Sequence, residues 1–402
     1  MDKVDGNTTK KMDPQLTFKA YSKIENHHQE SFVSKLLEKE TEDSDKKLEW
    51  VCLEKVHGSN FSFIVVPKEG SQDKVEVLKA NRTNVLTILS NFFVEAQKEV
   101  YERYYKSCVK LFEIISQNAE KFKRKTMETE SEITKIHIFG ELFGGYFPKL
   151  KNDQDSNGIR KAHIQKGVYY CPHYDFYVFD VAVTFGDQDT WLLFDEADPI
   201  LEEAGFRVRA KPLFRGSLKE CLDFDVEINT IIPQTFYSDI LTENDILFKE
   251  KENICEGVVI KPANGTVFVG SRAIIKKKNS KFTEVNPAKD KSKRMKKQEK
   301  SVDQDEQEMI SNVWNEIERY LNNNRLDNVV SKVGNITREN LSLVLKNFVN
   351  DAIEDYDKDQ QELGEEGATL SSLPVNIQKS IKKKLGSTCQ AILLKYMNEN
   401  KQ

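Results

Sequence analysis

Up to about residue 285 the chain alternates between strand-like and helix-like patterning, and beyond that it reads as helix alone. From Leu48 to Val66 the pattern predicts two strands joined by a turn. In the second, Phe61, Phe63 and Val65 alternate with Ser62, Ile64 and Val66, a period of two with both faces mostly apolar, which is the signature of a strand buried on both sides. "KVEVLKA" follows as a third strand. Leu86, Leu89, Phe93, Ala96, Val100 and Tyr104 then recur at spacings of three and four and predict a long helix from about Val85 to Glu120. The charged stretch Lys121–Glu132 reads as a loop. Strands return at "KIHIFGELFGG" and "YDFYVFDVAV", and "FDEADPILEEAGF" predicts a short helix stopped at Gly205. "EGVVIKP" and "SRAIIKKK" close the strand-rich part.

Composition then shifts. The run Asn286–Lys300, "NPAKDKSKRMKKQEK", is basic and nearly without apolar residues, so it reads as a linker or an exposed helix. Helical patterns fill the rest, interrupted by "GEEGATLSS", and no internal repeat is found. The expected architecture is a disordered tail over residues 1–15, an α+β domain over 16–286, a basic linker over 287–300 and a small all-α domain over 301–402.

Charge narrows the function classes only slightly. Charged residues make up 31% of 402 residues, yet the net charge is −5, which excludes a uniformly basic coat but not a local basic groove. The six cysteines lie far apart with no CxxC pair, which disfavours a zinc ribbon and fits a reducing, intracellular compartment, cytoplasmic or nuclear. No apolar run approaches membrane-spanning length, and the polar, acidic "MDKVDGNTTKKMDPQ" has neither a signal-peptide core nor the make-up of a transit peptide.

The chemistry centres on "EKVHGSNF". A lysine at a strand junction either snorkels to the surface or serves as an amine nucleophile, which must be unprotonated to attack. Gly58 is expected to let a phosphate or base approach the backbone. Further along, Arg82 offers a forked donor or a surface partner for a glutamate. Glu141 lies between a strand and two glycines. Phe179, beside Asp180, is either core or a stacking platform. Glu256 precedes a glycine at a strand start. In "IIKKKNSKF" a period of two puts Lys276 and Lys278 on one face and Lys277 on the other, forming a phosphate clamp or merely a solvated edge.

Taken in order, Lys-x-x-Gly, an arginine about 25 residues on, Gly-Glu-Leu, Phe-x-x-Phe-Asp, Glu-Gly-Val-Val-x-Lys-Pro and Lys-x-Lys resemble the covalent nucleotidyltransferase superfamily of ligases and capping enzymes. Within it, "FKAYSKIENH", "EKVHGSNFSF", "QKGVYYCPHYDFYVFDV", "KKKNSKFTE" and "YLNNNRLDNVVSKVG" are similar to the phage-type RNA ligase 2 family over roughly residues 16–350. The resemblance implies an adenylyltransferase domain with antiparallel sheets, followed by the helical domain. It implies an ATP-dependent RNA ligase that joins a 3′-hydroxyl to a 5′-phosphate through lysyl-AMP and RNA-adenylate intermediates, as a monomer acting on nicked duplex RNA in repair. By the same resemblance Lys55 is the nucleophile, Phe179 stacks on adenine, the backbone at Glu54 and Val56 reads its edge, and Arg82 and Glu141 hold the ribose. His57 serves the steps after adenylation, Asn60 contacts phosphate, and Lys276 and Lys278 engage the α-phosphate. Glu141 and Glu256 organise the waters of magnesium or manganese, while Asp180 is structural. Tyr21, Gln165 and Lys166 match positions near the nucleotide or the RNA end. His137, His163 and His173 carry no motif and are expected to be ordinary imidazoles. Two rival readings remain: an RNA-editing-type ligase, and a non-catalytic protein that binds RNA ends. Histidine at position 57, where DNA ligases and capping enzymes usually have aspartate, and the scarcity of strand runs after Phe282 count against those two classes.

Overall fold

A computed structural model describes residues 18–42, 48–87, 90, 92–124, 132–147, 163–241, 253–283, 302–362 and 367–399. The expected N-terminal tail and the whole of the basic linker lie outside the described residues.

Two five-stranded sheets, with a two-stranded ribbon of β10 (Phe268–Val269) and β11 (Ser271–Arg272), form the strand-rich part. The first contains β1 (Glu25–Asn26), β2 (Trp50–Glu54), β8 (Pro212–Gly216), β9 (Gly257–Pro262) and β12 (Ile275–Lys278), in the order β1-β12-β9-β2-β8. The second contains β3 (Ser59–Pro67), β4 (Val75–Asn81), β5 (Ile133–Gly144), β6 (Tyr174–Phe185) and β7 (Gln188–Trp191), in the order β4-β3-β5-β6-β7. The strands on either side of Lys55 therefore do not form a hairpin: β2 belongs to one sheet and β3 to the other. Pairing is antiparallel throughout both sheets except at β1, which runs parallel to β12.

The apolar pattern explains the packing. Phe61 and Phe63 of β3 are fully buried and meet Phe176 of β6 edge to face, at centroid distances of 5.7 and 5.1 Å. The helix that covers this sheet, α2, spans Val94–Gln117 rather than beginning near Val85. The reason is local. The Asn81 side-chain oxygen accepts from the backbone N–H groups of Thr83 and Asn84, and the chain turns back so that Leu86 N–H donates to the Lys79 carbonyl. The short α3 (Ala119–Phe122) follows, and α4 (Phe194–Ala204) ends at Gly205, whose φ of 92° is the left-handed closing conformation expected there. The first sheet is backed by α1 (Glu30–Glu42) and α5 (Leu218–Asp223), whose Leu36, Leu218 and Cys221 pack with Trp50, Cys52 and Ile260. Another apolar cluster, with Val51, Leu53, Phe143, Tyr177 and α6 (Ile232–Tyr237), joins the two sheets. All six cysteines are buried and unpaired.

The C-terminal part has its own core, in which Trp314, Ile317, Leu326, Phe348, Ile381 and Leu385 interlock. It is built from α7 (Val302–Ile317), α8 (Asn323–Val333), α9 (Leu341–Glu362) and α10 (Val375–Glu399). The Asn322 side chain caps α8 by accepting the Arg325 N–H at 3.0 Å.

Candidate active site

Lys55 lies on the link that carries the chain from β2 to β3, so its side chain emerges between the two sheets. Its backbone N–H is fixed by the Gly257 carbonyl at 2.9 Å. Gly58 has a purpose beyond the one expected of it. A Cβ there would lie 2.8 Å from Glu141 Cγ and would collide with the Leu142 carbonyl, so glycine lets β3 close onto β5. Gly257, at φ 144°, is packed against the Lys277 carbonyl and tolerates no side chain either.

A pocket of about 270 Å³ opens between the sheets and gathers Lys55, His57, Asn60, Arg82, Glu141, Phe179, Glu256, Lys276 and Lys278 with Glu54 and Val56. The expected catalytic and ATP-binding residues thus line one cavity, as does Tyr21, whereas Gln165 and Lys166 do not. At its centre Glu256, 2% exposed, is held by three nitrogens. Its Oε2 lies 2.7 Å from Lys55 Nζ and 3.4 Å from His57 Nδ1, and its Oε1 lies 3.0 Å from Lys278 Nζ. Burial would raise this carboxyl, but the charges of Lys55 and Lys278, with the His57 hydrogen bond, outweigh it and hold it well below the carboxylate range. Glu141 behaves oppositely. Burial pushes its carboxyl up to about 8, against the pull of Lys55 and Arg82 and with the help of the Glu256 charge.

The lysines of β12 divide as the strand period requires. Lys276 and Lys278 face the pocket, while Lys277 donates to the Leu222 and Phe224 carbonyls on the opposite face, at 2.7 and 2.8 Å. Phe179 is half-buried at the pocket wall with Tyr21 edge-on at 5.1 Å. Asp180, its neighbour, faces away from the cavity. Its carboxylate takes the Tyr21 hydroxyl at 2.8 Å, Arg272 at 3.0 Å and Lys261 at 3.4 Å. Burial alone would raise Asp180, but the two cations lower it. Arg82 sits exposed at the rim, close enough to influence Glu141. The histidines without motifs are engaged elsewhere: His137 is buried against the Ser62 hydroxyl at 2.8 Å, His163 rests on Tyr146, and His173 is 3.3 Å from Asp175.

Several contributors lie in segments that the sequence singles out, but the contacts they make have no sign there. The Glu54 carboxylate turns away from the cavity to accept the Thr230 hydroxyl and the Ile231 N–H, and burial pushes it up to about 7. Lys261 Nζ donates to the Phe179 carbonyl at 2.8 Å and so ties the two sheets together behind that ring. Tyr170 accepts the His57 N–H at 2.8 Å. Segment 21–26 and, from the helical part, Arg325, Asn328, Ser331, Lys332 and Asp351 complete the walls.

As for metals, no group of three or more histidine, cysteine, aspartate or glutamate side chains able to hold an ion occurs among the described residues. Both Glu256 oxygens are already engaged by nitrogens. The donors present therefore suit a divalent cation carried mainly by substrate phosphate and water, with Glu141 and Glu256 reached through that water.

A family model described as RNA ligase matches residues 48–278, more than half of the chain and, apart from segment 21–26, the residues just placed in the pocket from the strand-rich part. The chain belongs to the RNA ligase family. A second model, described as T4 RNA ligase 2 C-terminal, matches residues 303–391 and so extends this membership to the phage-type RNA ligase 2 branch. Among curated relatives, mitochondrial RNA-editing ligase 1 of Trypanosoma brucei brucei is 27% identical over 228 residues, 53% of this chain and 44% of that protein. Mitochondrial RNA-editing ligase 2 of the same organism is 27% identical over 201 residues, 46% of this chain and 44% of its own length. The matches thus span less than half the length of these relatives. A Naegleria gruberi RNA ligase mutant solved with ATP and Mn shares 15% identity, with a TM-score of 0.35 over 65% of this chain and 57% of that one.

Proposed function

We propose that this RNA ligase family member is an ATP-dependent RNA ligase that joins a 3′-hydroxyl to a 5′-phosphate through lysyl-AMP on Lys55 and an RNA-adenylate. The observation that carries this reading is the junction of Lys55, Glu256 and Lys278, with Glu141 and Lys276, in one cavity walled by Phe179.

The chemistry follows from that arrangement. The Lys55 amine attacks the α-phosphorus of ATP. A P–N bond forms, the bond from that phosphorus to the pyrophosphate oxygen breaks, and the amine gives up a proton. Glu256 aims the amine, since its carboxylate is the acceptor 2.7 Å from Nζ. Lys276 and Lys278 face the same cavity and are placed to draw charge off the α-phosphate. Phe179 supplies a face for adenine, and Arg82 with Glu141 can bind the ribose hydroxyls. A divalent cation, magnesium or manganese, adds charge neutralisation when it arrives with the triphosphate. In the second step a 5′-phosphate oxygen of RNA attacks the lysyl-bound phosphorus and releases the Lys55 nitrogen. In the third, the 3′-hydroxyl attacks the activated 5′-phosphate and expels AMP. His57 and Asn60 lie beside Lys55 and serve those later steps.

The substrate best suited to this reading is a nick in duplex RNA, where A-form shape and 2′-hydroxyls are recognised instead of base sequence. We further propose that the protein acts as a monomer, in cytosol or nucleus. No described helix is long and apolar enough to cross a membrane. The intact set Lys55, Glu141, Glu256, Lys276 and Lys278 favours catalysis over a purely RNA-end-binding role. The test is joining on a panel of nicked duplexes with RNA or DNA on each side of the nick. Sealing that needs ATP, a 5′-phosphate and an RNA 3′-hydroxyl end is expected. Binding of the nick with no joining under any condition would leave only the end-binding reading.

A further inference from the structure

The helical domain meets the catalytic one around His57. Its helix α8 carries Asn324, Asp327 and Ser331 at spacings of three and four, on one face. Asn324 Nδ2 donates to the carbonyls of Lys281 and Thr283 at 3.0 and 2.8 Å. The Asp327 carbonyl accepts Gln165 Nε2 at 3.0 Å, and the Ser331 carbonyl accepts the Ser59 hydroxyl. The Asn324 contact closes a short helical turn, Ser280–Phe282, that follows β12. The catalytic domain holds the start of that turn. Asn279 donates its backbone N–H to the Glu256 carbonyl at 2.9 Å and its Nδ2 to the Val226 carbonyl at 3.2 Å, while its Oδ1 accepts the Lys281 N–H at 2.9 Å. Asn324 holds the end.

Phe282 is the side chain that the turn presents to the site. Its ring meets the His57 ring edge to face, at a centroid distance of 5.1 Å and an interplanar angle of 62°. The segment Gln165–Gly167 passes the same ring, where a Cβ on Gly167 would come within 3.9 Å of it. His57 needs such a neighbour. Its backbone N–H is fixed on Tyr170 at 2.8 Å, but the last torsion of an imidazole is soft, and the Nδ1 contact with Glu256 is long, at 3.4 Å. That contact also changes during the reaction. Glu256 Oε2 is shared with the Lys55 ammonium at 2.7 Å, and once Lys55 carries AMP its nitrogen no longer bears a charge. The Phe282 ring does not depend on the state of Lys55, so it restrains the imidazole in the steps that follow loading.

We propose, resting on the ligase reading above, that Asn324 and Phe282 are positioning residues for His57: α8 clamps the Ser280–Phe282 turn, the turn sets the Phe282 ring, and the ring holds the imidazole for transfer of AMP to RNA. In that step a P–O bond to the RNA 5′-phosphate replaces the P–N bond to Lys55, and the released nitrogen regains the proton it gave up on loading. The helical domain thus contributes to the transfer through the geometry of His57, separately from any grip on RNA, and contributes nothing to the loading of Lys55.

The experiment uses the full-length chain loaded with α-labelled ATP, freed of ATP, and mixed in a rapid-quench device with a 5′-phosphorylated nicked RNA duplex over a range of concentrations. Passage of label from protein to RNA gives a saturating rate and a half-saturating duplex concentration. Asn324→Ala and Phe282→Leu should load AMP at the parent rate and lose about tenfold in the saturating rate of transfer, with the half-saturating concentration unchanged. Phe282→Tyr, which keeps the ring, should restore most of the rate. In a His57→Ala background, Asn324→Ala should cost nothing more, because no imidazole is left to hold. A parent-like saturating rate in Asn324→Ala overturns the proposal, as does slowed AMP loading or a full additional loss on top of His57→Ala. A loss confined to the half-saturating concentration also overturns it, since it makes Asn324 an RNA contact. Phe282→Tyr no better than Phe282→Leu removes the role of the ring. A parent chain that takes no label, or never passes it to RNA, fails the ligase reading itself, before any variant is compared.

Discussion

Replacing Glu256 by glutamine keeps the shape of the side chain and removes one charge from the centre of the site. In the parent, that charge is shared by Lys55 at 2.7 Å, Lys278 at 3.0 Å and His57 at 3.4 Å. Glu256 is 2% exposed and Lys278 10%, so water cannot take over the lost role there, whereas Lys55 at 21% is partly reachable. Breaking a buried pair by removing one partner costs about 3–5 kcal/mol. The reach of water to Lys55, and the amide oxygen that remains as an acceptor, place Glu256→Gln at about 2–4 kcal/mol. For a chain of this size that corresponds to a melting temperature lower by roughly 2–5 °C. Binding and chemistry should respond in opposite directions. The pocket becomes more positive by one charge, so ATP affinity should hold or improve, but the amine loses the acceptor that aims it, and single-turnover AMP loading should slow by about a hundredfold or more. The pH behaviour supplies a further check. The parent carboxyl is depressed in the folded chain, so its stabilisation is present above the ordinary value of 4.5 and is lost as pH falls below it. The stability gap between parent and Glu256→Gln should therefore close on acidification. Rapid-quench loading with α-labelled ATP, equilibrium binding of a non-reacting ATP analogue and melting between pH 4 and pH 8 (assay settings, about four pH units of span) give all three readouts. Normal loading with weakened ATP binding would refute the reasoning, since it would make Glu256 a nucleotide contact and not the group that aims the amine.

Other outcomes follow from the same geometry. Phe179→Ala should raise the ATP concentration needed for loading about tenfold, from the loss of ~1–3 kcal/mol of stacking, with little loss of melting temperature because the ring is only half-buried; the opposite pattern would make the ring a core residue. Glu141→Gln should gain relative stability as pH rises: the parent carboxyl is raised from 4.5 to about 8, so folding loses a few kcal/mol across that window and the glutamine variant does not. Melting curves at both ends of the window read this directly. Gly58→Ala should cost at least ~1–3 kcal/mol through the collision with Leu142 and Glu141 and should slow loading by distorting the Lys55 link; an undisturbed variant would show that β3 and β5 do not approach so closely.

Much of the site could be read from the sequence because strand periodicity is a local property. The alternation in "IIKKKNSK" assigns Lys276 and Lys278 to one face and Lys277 to the other, and the side chains obey it. The strands at Phe61–Val65 and Tyr174–Phe185 announce themselves by apolar β-branched and aromatic runs. What escaped depends on contacts across the fold. The start of α2 was obscured because Leu86 and Leu89 fit a helical spacing, while the turn built by the Asn81 side chain, a choice made by one hydrogen-bonding oxygen, returns the chain to β4. The second demand on Gly58 has no local sign because the neighbour that sets it, Leu142, is more than eighty residues away. Lys261 belongs to the Glu-Gly-Val-Val-x-Lys-Pro motif and Glu54 to "EKVHGSNF", but only the pairing of sheets shows that one side chain anchors Phe179 and the other the Thr230 turn. The helical wall of the pocket, with Arg325 donating to the Tyr320 and Asp351 carbonyls, comes from domain docking, which no local pattern encodes.

The account stands on the Lys55 amine as the carrier of AMP. Incubation of the full chain with α-labelled ATP and magnesium, followed by proteolysis and mapping of the label, tests it most directly. The account predicts an acid-labile phosphoramidate on the peptide containing Lys55, discharged by pyrophosphate and absent from Lys55→Ala. Label retained in Lys55→Ala, or mapped to another residue, would contradict it.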